Sequence, residues 1–341
     1  MCLKRALPQA WYRKSQWLVL LQPLASLYGW LAQRRRRKLF PTAYRARVPV
    51  LVCGNITVGG TGKTPLTIAL AQELQRRGVQ VVILSRGYGG KAASYPLDVK
   101  LTAAVEDCGD EALLLALHAE CPVIVDPDRT RAALYAETRY QPDVLLCDDG
   151  LQHYALARDV EVAVIDGARG FGNERLLPAG PLREPLNRLA QVNCVVINGD
   201  LVVPLPHIAP PRYTMRLSTV GLRALQSGEE LTLADWHARM SAGTVHAVAG
   251  IGNPERFFQS LRDLGFDIIP HAFNDHQTWQ RGQLDFDDEL PVLMTEKDAV
   301  KYLGFADARH WAVQVEAALP AAFFDEMEGA LRRAARELLQ P

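Results

Sequence analysis

Uninterrupted runs of Val, Ile and Leu, separated by stretches with helical spacing, recur through the first two thirds of the chain. They predict strands over 48–53, 79–84, 123–125, 144–147, 160–165 and 193–197. Helices are predicted at Leu66, Ile68, Ala69, Leu70 and Leu74, then over 111–120 and 129–139. Strands that lack polar alternation bury both faces, so the pattern implies a parallel sheet covered on each side by helices. Pro204, Pro206, Pro210 and Pro211 then mark a boundary. Residues 212–233 (Tyr213, Met215, Leu217; Leu231, Leu233) alternate as an antiparallel ribbon would. A second α/β unit follows. It has a strand over 245–251, then a helix capped by Asn253, opened by Pro254 and ended by Gly265. A strand over 292–294 exits into Thr295-Glu296-Lys297-Asp298, which has capping-box spacing.

The first strand leads into Thr57, Val58, Gly59, Gly60, Thr61, Gly62, Lys63 and Thr64, and these lead into a helix. Glycines let backbone N–H groups curl around phosphate oxygens, and the helix N-terminus adds its positive dipole end. Lys63 would reach the β- and γ-phosphates of a nucleoside triphosphate, and the Thr64 hydroxyl would ligate Mg²⁺. The strict phosphate-loop pattern asks for glycine where Thr57 stands. The expected fold class is therefore α/β: a P-loop NTPase-type parallel-sheet domain plus a second, smaller α/β domain. The expected segments are an N-terminal helix over 1–40, the core over 41–205, a β-ribbon linker over 206–235 and the smaller domain over 236–341.

Charge changes the picture at the N-terminus. The 341 residues carry no formal net charge, yet the chain has no acid before Glu73, while basic residues crowd that stretch, Arg34 to Lys38 above all. Between the basic clusters an apolar segment carries Trp17, Tyr28 and Trp30, with Trp11 just ahead of it. Gln22, Pro23 and Ser26 interrupt it, and it falls short of the ~20 apolar residues that a membrane span needs. It reads as a monotopic helix lying in a membrane interface, aromatics at the headgroup level and arginines towards anionic lipid. The competing reading packs it on the protein's own core with a solvated basic face. Nucleic acid is a poorer partner, because the charges interleave with aliphatics. No signal-peptide cleavage site follows. Six cysteines without CxxC spacing read as buried, reduced thiols of a cytosolic protein.

The strand over 144–147 ends in Asp148 and Asp149, where a phosphate-loop protein holds its Mg²⁺. Gln152 and His153 continue that run; His153 could touch phosphate or substrate, or only complete the turn. Asp110, at a helix start, is either an N-cap or the base that takes a proton from an acceptor hydroxyl. His276, beside Asp275, could orient such a base or be a surface histidine. The long loop over 166–185 contains Asn173, Arg183 and Glu184. It follows a strand end, where open α/β sheets bind ligands, and Arg183 and Glu184 are candidates for an acceptor phosphate and a metal.

Together these runs resemble the tetraacyldisaccharide 4′-kinase family. The matching stretches are GNITVGGTGKTP (54–65), SRGYGG (85–90), GDE (109–111), DDGLQH (148–153), RGFGN (169–173), LPAGPLREP (177–185), GIGNPERFF (250–258), DH (275–276) and MTEKDAVK (294–301). Thr57 belongs to that family pattern. The resemblance implies a phosphotransferase moving the γ-phosphate of ATP, with Mg²⁺, to the 4′-hydroxyl of an acylated glucosamine disaccharide 1-phosphate. It maps the base onto Asp110, assisted by His276, and the phosphate-handling lysine onto Lys63. The metal and nucleotide shell maps onto Thr64, Asp148, Asp149 and Glu184. The substrate-side candidates are Arg183, His153, Gln152 and Asn173; Lys297 of the MTEKD run is carried over without an assigned role. The expected partners are that lipid and an anionic membrane surface, with no nucleic acid and no protein. The expected place is the cytoplasmic face of a Gram-negative inner membrane. The alternative is a membrane-attached partitioning ATPase that acts as a switch without a lipid acceptor; Val58 stands where such proteins usually carry a second lysine. Thr295-Glu296-Lys297-Asp298 does not supply the Asn-Lys-x-Asp element of a GTPase.

Overall fold

The computed structural model describes residues 3–202, 204–205, 209–240, 243–275, 277 and 279–340, with 3–6 described by their backbone alone. His276 and Cys2 lie outside the described residues. The chain divides into two compact units, and neither is one contiguous segment.

The first unit takes the described residues up to Arg86, Ala119–Arg216 and those from Ala318 onward. Its sheet is parallel throughout. The strand order is Arg212–Ala224 (by its first residues), Cys194–Asn198, Val160–Asp166, Val50–Gly54, Val144–Cys147, Val81–Ser85 and Val123–Val125. The five strands from Val81–Ser85 through Cys194–Asn198 are buried along their whole length, the burial that their continuous apolar runs imply. Each fully buried Val, Leu or Ile contributes roughly 1.5–3 kcal/mol. Val52 lies opposite both Cys147 and Glu161, and because the strands are parallel their following loops leave from one carboxyl edge of the sheet. The last helix, Ala321–Leu338, buries Phe323, Met327 and Leu331. Arg77 ties it down through Asp325 (2.8 Å) and Glu328 (2.6 Å) while also meeting Glu73 (2.7 Å).

The second unit takes Gly87–His118 and Leu217–Ala317. Its parallel strands run Asp267–Ala272, Thr244–Ala249, Val292–Thr295 and His310–Ala318. Trp236, Phe258, Leu261 and Trp311 fill its core. Here the contiguous boundaries expected at 205 and 236 need correction. Helix Asp110–His118 belongs with the second unit because it is bound to helix Glu296–Tyr302: His118 Nε2 lies 3.0 Å from Glu296 Oε1, and Lys297 Nζ lies 3.1 Å from Glu111 Oε1. The C-terminal helix belongs with the first unit because its apolar stripe is buried there.

The ribbon over 212–233 is also corrected. Arg212–Ala224 is one long strand whose start joins the parallel sheet, with Met215 fully buried. Only Leu222 and Arg223 pair antiparallel, with the two-residue strand Glu230–Leu231, and Leu233 already opens a helix. Asn253 occupies the N-cap position without a side-chain capping bond, whereas Thr295 caps its helix by accepting from Asp298 N.

The N-terminal arm consists of helix Leu3–Tyr12, the 3-10 turn Gln16–Leu21 and helix Gln22–Leu39. Part of it packs on the protein's own core and part is exposed. Trp11, Leu18 and Ala25 are buried, and Trp11 Nε1 donates to Pro178 O (3.0 Å), so Trp11 serves the protein's own core and not an interface. Trp17, Leu20, Leu24, Leu27, Trp30 and Leu31 stay exposed. Among the described residues no helix is long and apolar enough to cross a membrane. Cys53, Cys108, Cys147 and Cys194 are buried free thiols and Cys121 is half-buried, as the cysteine pattern implies.

Candidate functional site

In the first unit, the strand Val50–Gly54 ends in the glycine-rich loop of residues 57–62, and helix Lys63–Arg76 starts directly after it. Gly62 has φ 92°, and a Cβ there would fall 2.3 Å from Asn198 Nδ2. Conformation and space therefore both require glycine. Asn198, at the end of its own strand, donates to Thr61 O at 2.9 Å and holds the loop from below. From the other side the loop over 177–185 lies against it: Val58 N donates to Pro181 O (2.8 Å), and Arg183 N donates to Ile56 O (2.7 Å).

Two acids follow the neighbouring strand. Asp148 is buried, and its Oδ1 accepts from the Thr67 hydroxyl at 3.0 Å. Thr64 lies one turn before Thr67 on the same helix face. Arg129, itself buried, donates to Asp148 O at 2.9 Å. Asp149 takes a left-handed backbone (φ 47°) and meets two cations, Lys63 Nζ at 3.7 Å and Arg183 Nη1 at 3.1 Å. Burial pushes its carboxyl up, but Lys63 and Arg183 outweigh burial and hold it below the usual carboxylate range.

Glu184 is buried beside that pair and accepts from Gln152 Nε2 (3.2 Å) and from the Tyr154 hydroxyl, with Arg188 Nε 3.8 Å away. Gln152 also donates to Asn55 O (3.0 Å), and its Oε1 accepts from Arg183 (3.4 Å). Asn173 turns into its own loop: its Nδ2 donates to Ala179 O at 2.8 Å, and its Oδ1 accepts from Arg175 N at 3.3 Å. His153 lies with Val52, Cys147, Gly150 and Leu156 and with Arg129 and Arg158. Burial, then those two guanidiniums, drives its imidazole down to about 4, so it is neutral near pH 7.

In the second unit, Asp110 opens its helix almost completely buried (4% exposed). Its Oδ1 accepts from Glu111 N (2.9 Å). Its Oδ2 faces Lys301 Nζ at 3.8 Å and Lys297 Nζ at 4.0 Å. Lys297 also meets Asp275 Oδ1 at 3.2 Å. Burial pulls the Lys297 ammonium down, yet Glu111, Asp110 and Asp275 more than reverse that and hold it above the ordinary lysine range.

The sequence candidates thus fall into two groups. Lys63, Asp148, Asp149, Gln152, Arg183 and Glu184 gather around residues 57–64; Asp110 gathers with Lys297 and Asp275. Thr67, Asn198, Arg129 and Tyr154 escaped sequence reading, because nothing local separates a threonine that serves an acid eighty-one positions away from an ordinary helix surface residue. Among the described residues no three His, Cys, Asp or Glu side chains gather to hold a metal. Mg²⁺ does not need such a cage, since one or two carboxylates with phosphate oxygens and water commonly suffice. The hard oxygens of Thr64 and Asp148 are of the type it takes.

The sequence profile of the tetraacyldisaccharide-1-P 4′-kinase family matches residues 17–332. A tetraacyldisaccharide 4′-kinase of Alcanivorax borkumensis is 47% identical over 319 residues, which cover 94% of this chain and 95% of that protein. One of Pseudomonas aeruginosa (strain PAO1) is 47% identical over 328 residues, covering 95% and 96% respectively. In structure, the chain is similar to LpxK from Aquifex aeolicus, solved in complex with ATP: the TM-score is 0.76 at 29% identity, covering 93% of this chain and 100% of that one. Profile, relatives and fold agree over nearly the full length, and the chain belongs to the tetraacyldisaccharide 4′-kinase family of phosphotransferases.

Proposed function

We propose that this protein transfers the γ-phosphate of ATP to the 4′-hydroxyl of an acylated glucosamine disaccharide 1-phosphate at a membrane surface. The observation that carries this reading is the cluster at residues 57–64, where Lys63 and the Asp148–Asp149 pair meet a glycine loop in a chain of this family. The ATP complex of LpxK supports ATP as the donor.

The backbone amides of residues 57–62 would receive the phosphates as the phosphate loop of the first unit. Lys63 would lie against the β- and γ-phosphate oxygens and stabilise the charge that spreads over the transferring group. Thr64 and Asp148 would hold Mg²⁺, with Asp149 and Glu184 near it; the bound ion would neutralise charge on the bridging phosphates. Arg183 would orient Asp149, with Gln152 behind it. Asp110 takes the proton from the acceptor hydroxyl as that oxygen bonds to phosphorus, and the bond from phosphorus to the departing ADP oxygen breaks. His276 is the candidate assistant from the family resemblance. The exposed apolar face of the arm, flanked by Arg34, Arg35 and Arg37, supports docking to anionic lipid at the cytoplasmic face of an inner membrane.

The test is transfer of labelled γ-phosphate from ATP to the acylated disaccharide 1-phosphate in detergent micelles, with an unacylated disaccharide alongside. Label on the lipid that depends on Mg²⁺ and on Lys63 is expected. ATP hydrolysis without labelled lipid would overturn the reading in favour of the switch ATPase.

A further inference from the structure

Helix Glu296–Tyr302 carries two lysines four residues apart, hence on one face, and both point their ammonium groups at the same oxygen, Asp110 Oδ2. Neither is an ordinary surface lysine: their side chains are 16% (Lys297) and 7% (Lys301) exposed. Each is anchored by a second acid. Lys301 Nζ lies 2.9 Å from Asp298 Oδ1 and 5.8 Å from the Trp279 ring centroid. Asp298 is fixed in turn, its Oδ2 accepting from Gly250 N (2.8 Å) and from the Thr295 hydroxyl (2.6 Å). Gly250 has to be glycine here, because a Cβ would fall 2.7 Å from Asp298 Oδ1. Lys297 joins three elements. It holds Glu111 on the Asp110 helix and Asp275 in the loop after strand Asp267–Ala272, from its own place on the third.

We propose that Lys297 and Lys301 are positioning residues for the phosphoryl transfer, a cationic clamp that holds the Asp110 carboxylate ionised and in a single rotamer. The inference rests on the reading of Asp110 as the base. A carboxylate buried this deeply costs several kcal/mol unless a cation compensates it, and a cation within ~4–6 Å favours the charged form. A general base has to be unprotonated and aimed before the substrate arrives. At 3.8 and 4.0 Å the lysines act on Oδ2 through charge and not through a hydrogen bond. The MTEKDAVK run thereby acquires a role: Thr295 and Asp298 build the platform, and Lys297 and Lys301 aim the base from it.

The test is a double-mutant cycle on the full chain with ATP, Mg²⁺ and the acylated disaccharide in micelles. Lys301→Met and Lys297→Met should each lower kcat, by up to on the order of 10²-fold if the base is misplaced by an ångström, with the KM for ATP little changed. Lys301→Arg should restore most of the rate. In an Asp110→Asn background each Met substitution should cost less than about threefold, because the group it positions is already gone. Full, multiplicative losses in that background would overturn the clamp while leaving Asp110 as the base. Near wild-type turnover by Asp110→Asn alone would overturn the base reading and the clamp with it. Thermal melts accompany each variant. If Lys301→Met fails to fold with Asp298 left buried and unpaired, Lys297→Met, which leaves the Lys301–Asp298 pair intact, decides the cycle.

Discussion

Lys63 Nζ lies 3.7 Å from Asp149 Oδ1, joining the first residue of helix Lys63–Arg76 to the turn that leaves strand Val144–Cys147. The pair sets a buried ammonium (10% side-chain exposure) at the edge of the glycine loop and holds it in one place before any phosphate arrives. Arg183 approaches the same carboxylate at 3.1 Å, so Asp149 organises two cations that would otherwise repel each other.

Replacing Lys63 with Ala should lower the transfer rate by about 10²–10³-fold, the usual cost of removing one preorganised electrostatic partner. Single-turnover transfer of labelled phosphate measures it directly. A loss below tenfold would exclude Lys63 from the transition state.

Asp110→Asn should slow transfer by about 10²–10⁴-fold, the range of a lost general base. ATP binding, followed by calorimetry, should stay close to wild type, because residues 57–64 are in the other unit. If ATP affinity falls as far as the rate does, Asp110 is not acting as a base.

Asp149 makes the fold sensitive to acid. Its carboxyl is held low in the folded protein, so its contribution to stability is fully present above the unfolded value near pH 3.9 and is lost as pH falls below that. Measured without nucleotide or metal, wild type and Asp149→Asn should differ most near neutral pH. Their melting temperatures should converge on acidification, and a gap that widens instead would contradict the Lys63–Asp149–Arg183 arrangement.

His153 has a signature of the same sign in a higher pH window, although its folded-state form is neutral and not charged. Its imidazole is lowered to about 4, so the unfolded chain takes up the proton first as pH drops below about 6.5. Stability should therefore fall between pH 7 and 5 by more in wild type than in His153→Gln. Parallel melts at the two pH values would show whether this histidine is a neutral packing group; equal losses would argue against it.

Because the arm has a buried face and an exposed one, point variants test it better than deletion does. Leu20 (80% exposed) and Trp30 (54% exposed) changed to Glu should abolish sedimentation with anionic vesicles and leave the melt unchanged. Leu18→Ala, at a fully buried position, should instead destabilise the fold by about 2–5 kcal/mol. Continued sedimentation of the two Glu variants would remove the membrane role from this face.

By itself the sequence determined what depends on near neighbours. Continuous apolar runs dictated the buried parallel strands, Gly59 to Gly62 the shape of the loop ahead of Lys63, and Thr295 with Asp298 the start of a helix, because periodicity, backbone freedom and capping are local properties. Only the tertiary structure decided what depends on long-range register. It assigned residues 87–118 to the second unit, since an ion pair such as Lys297–Glu111 spans 186 positions and leaves no local trace. It divided the aromatics of the arm, burying Trp11 and exposing Trp17 and Trp30, because the docking partner Pro178 lies 167 residues from Trp11. It also gave Asp110 its two lysines: a helix start with an acid reads as a cap until packing brings ammonium groups to within 4.0 Å of it.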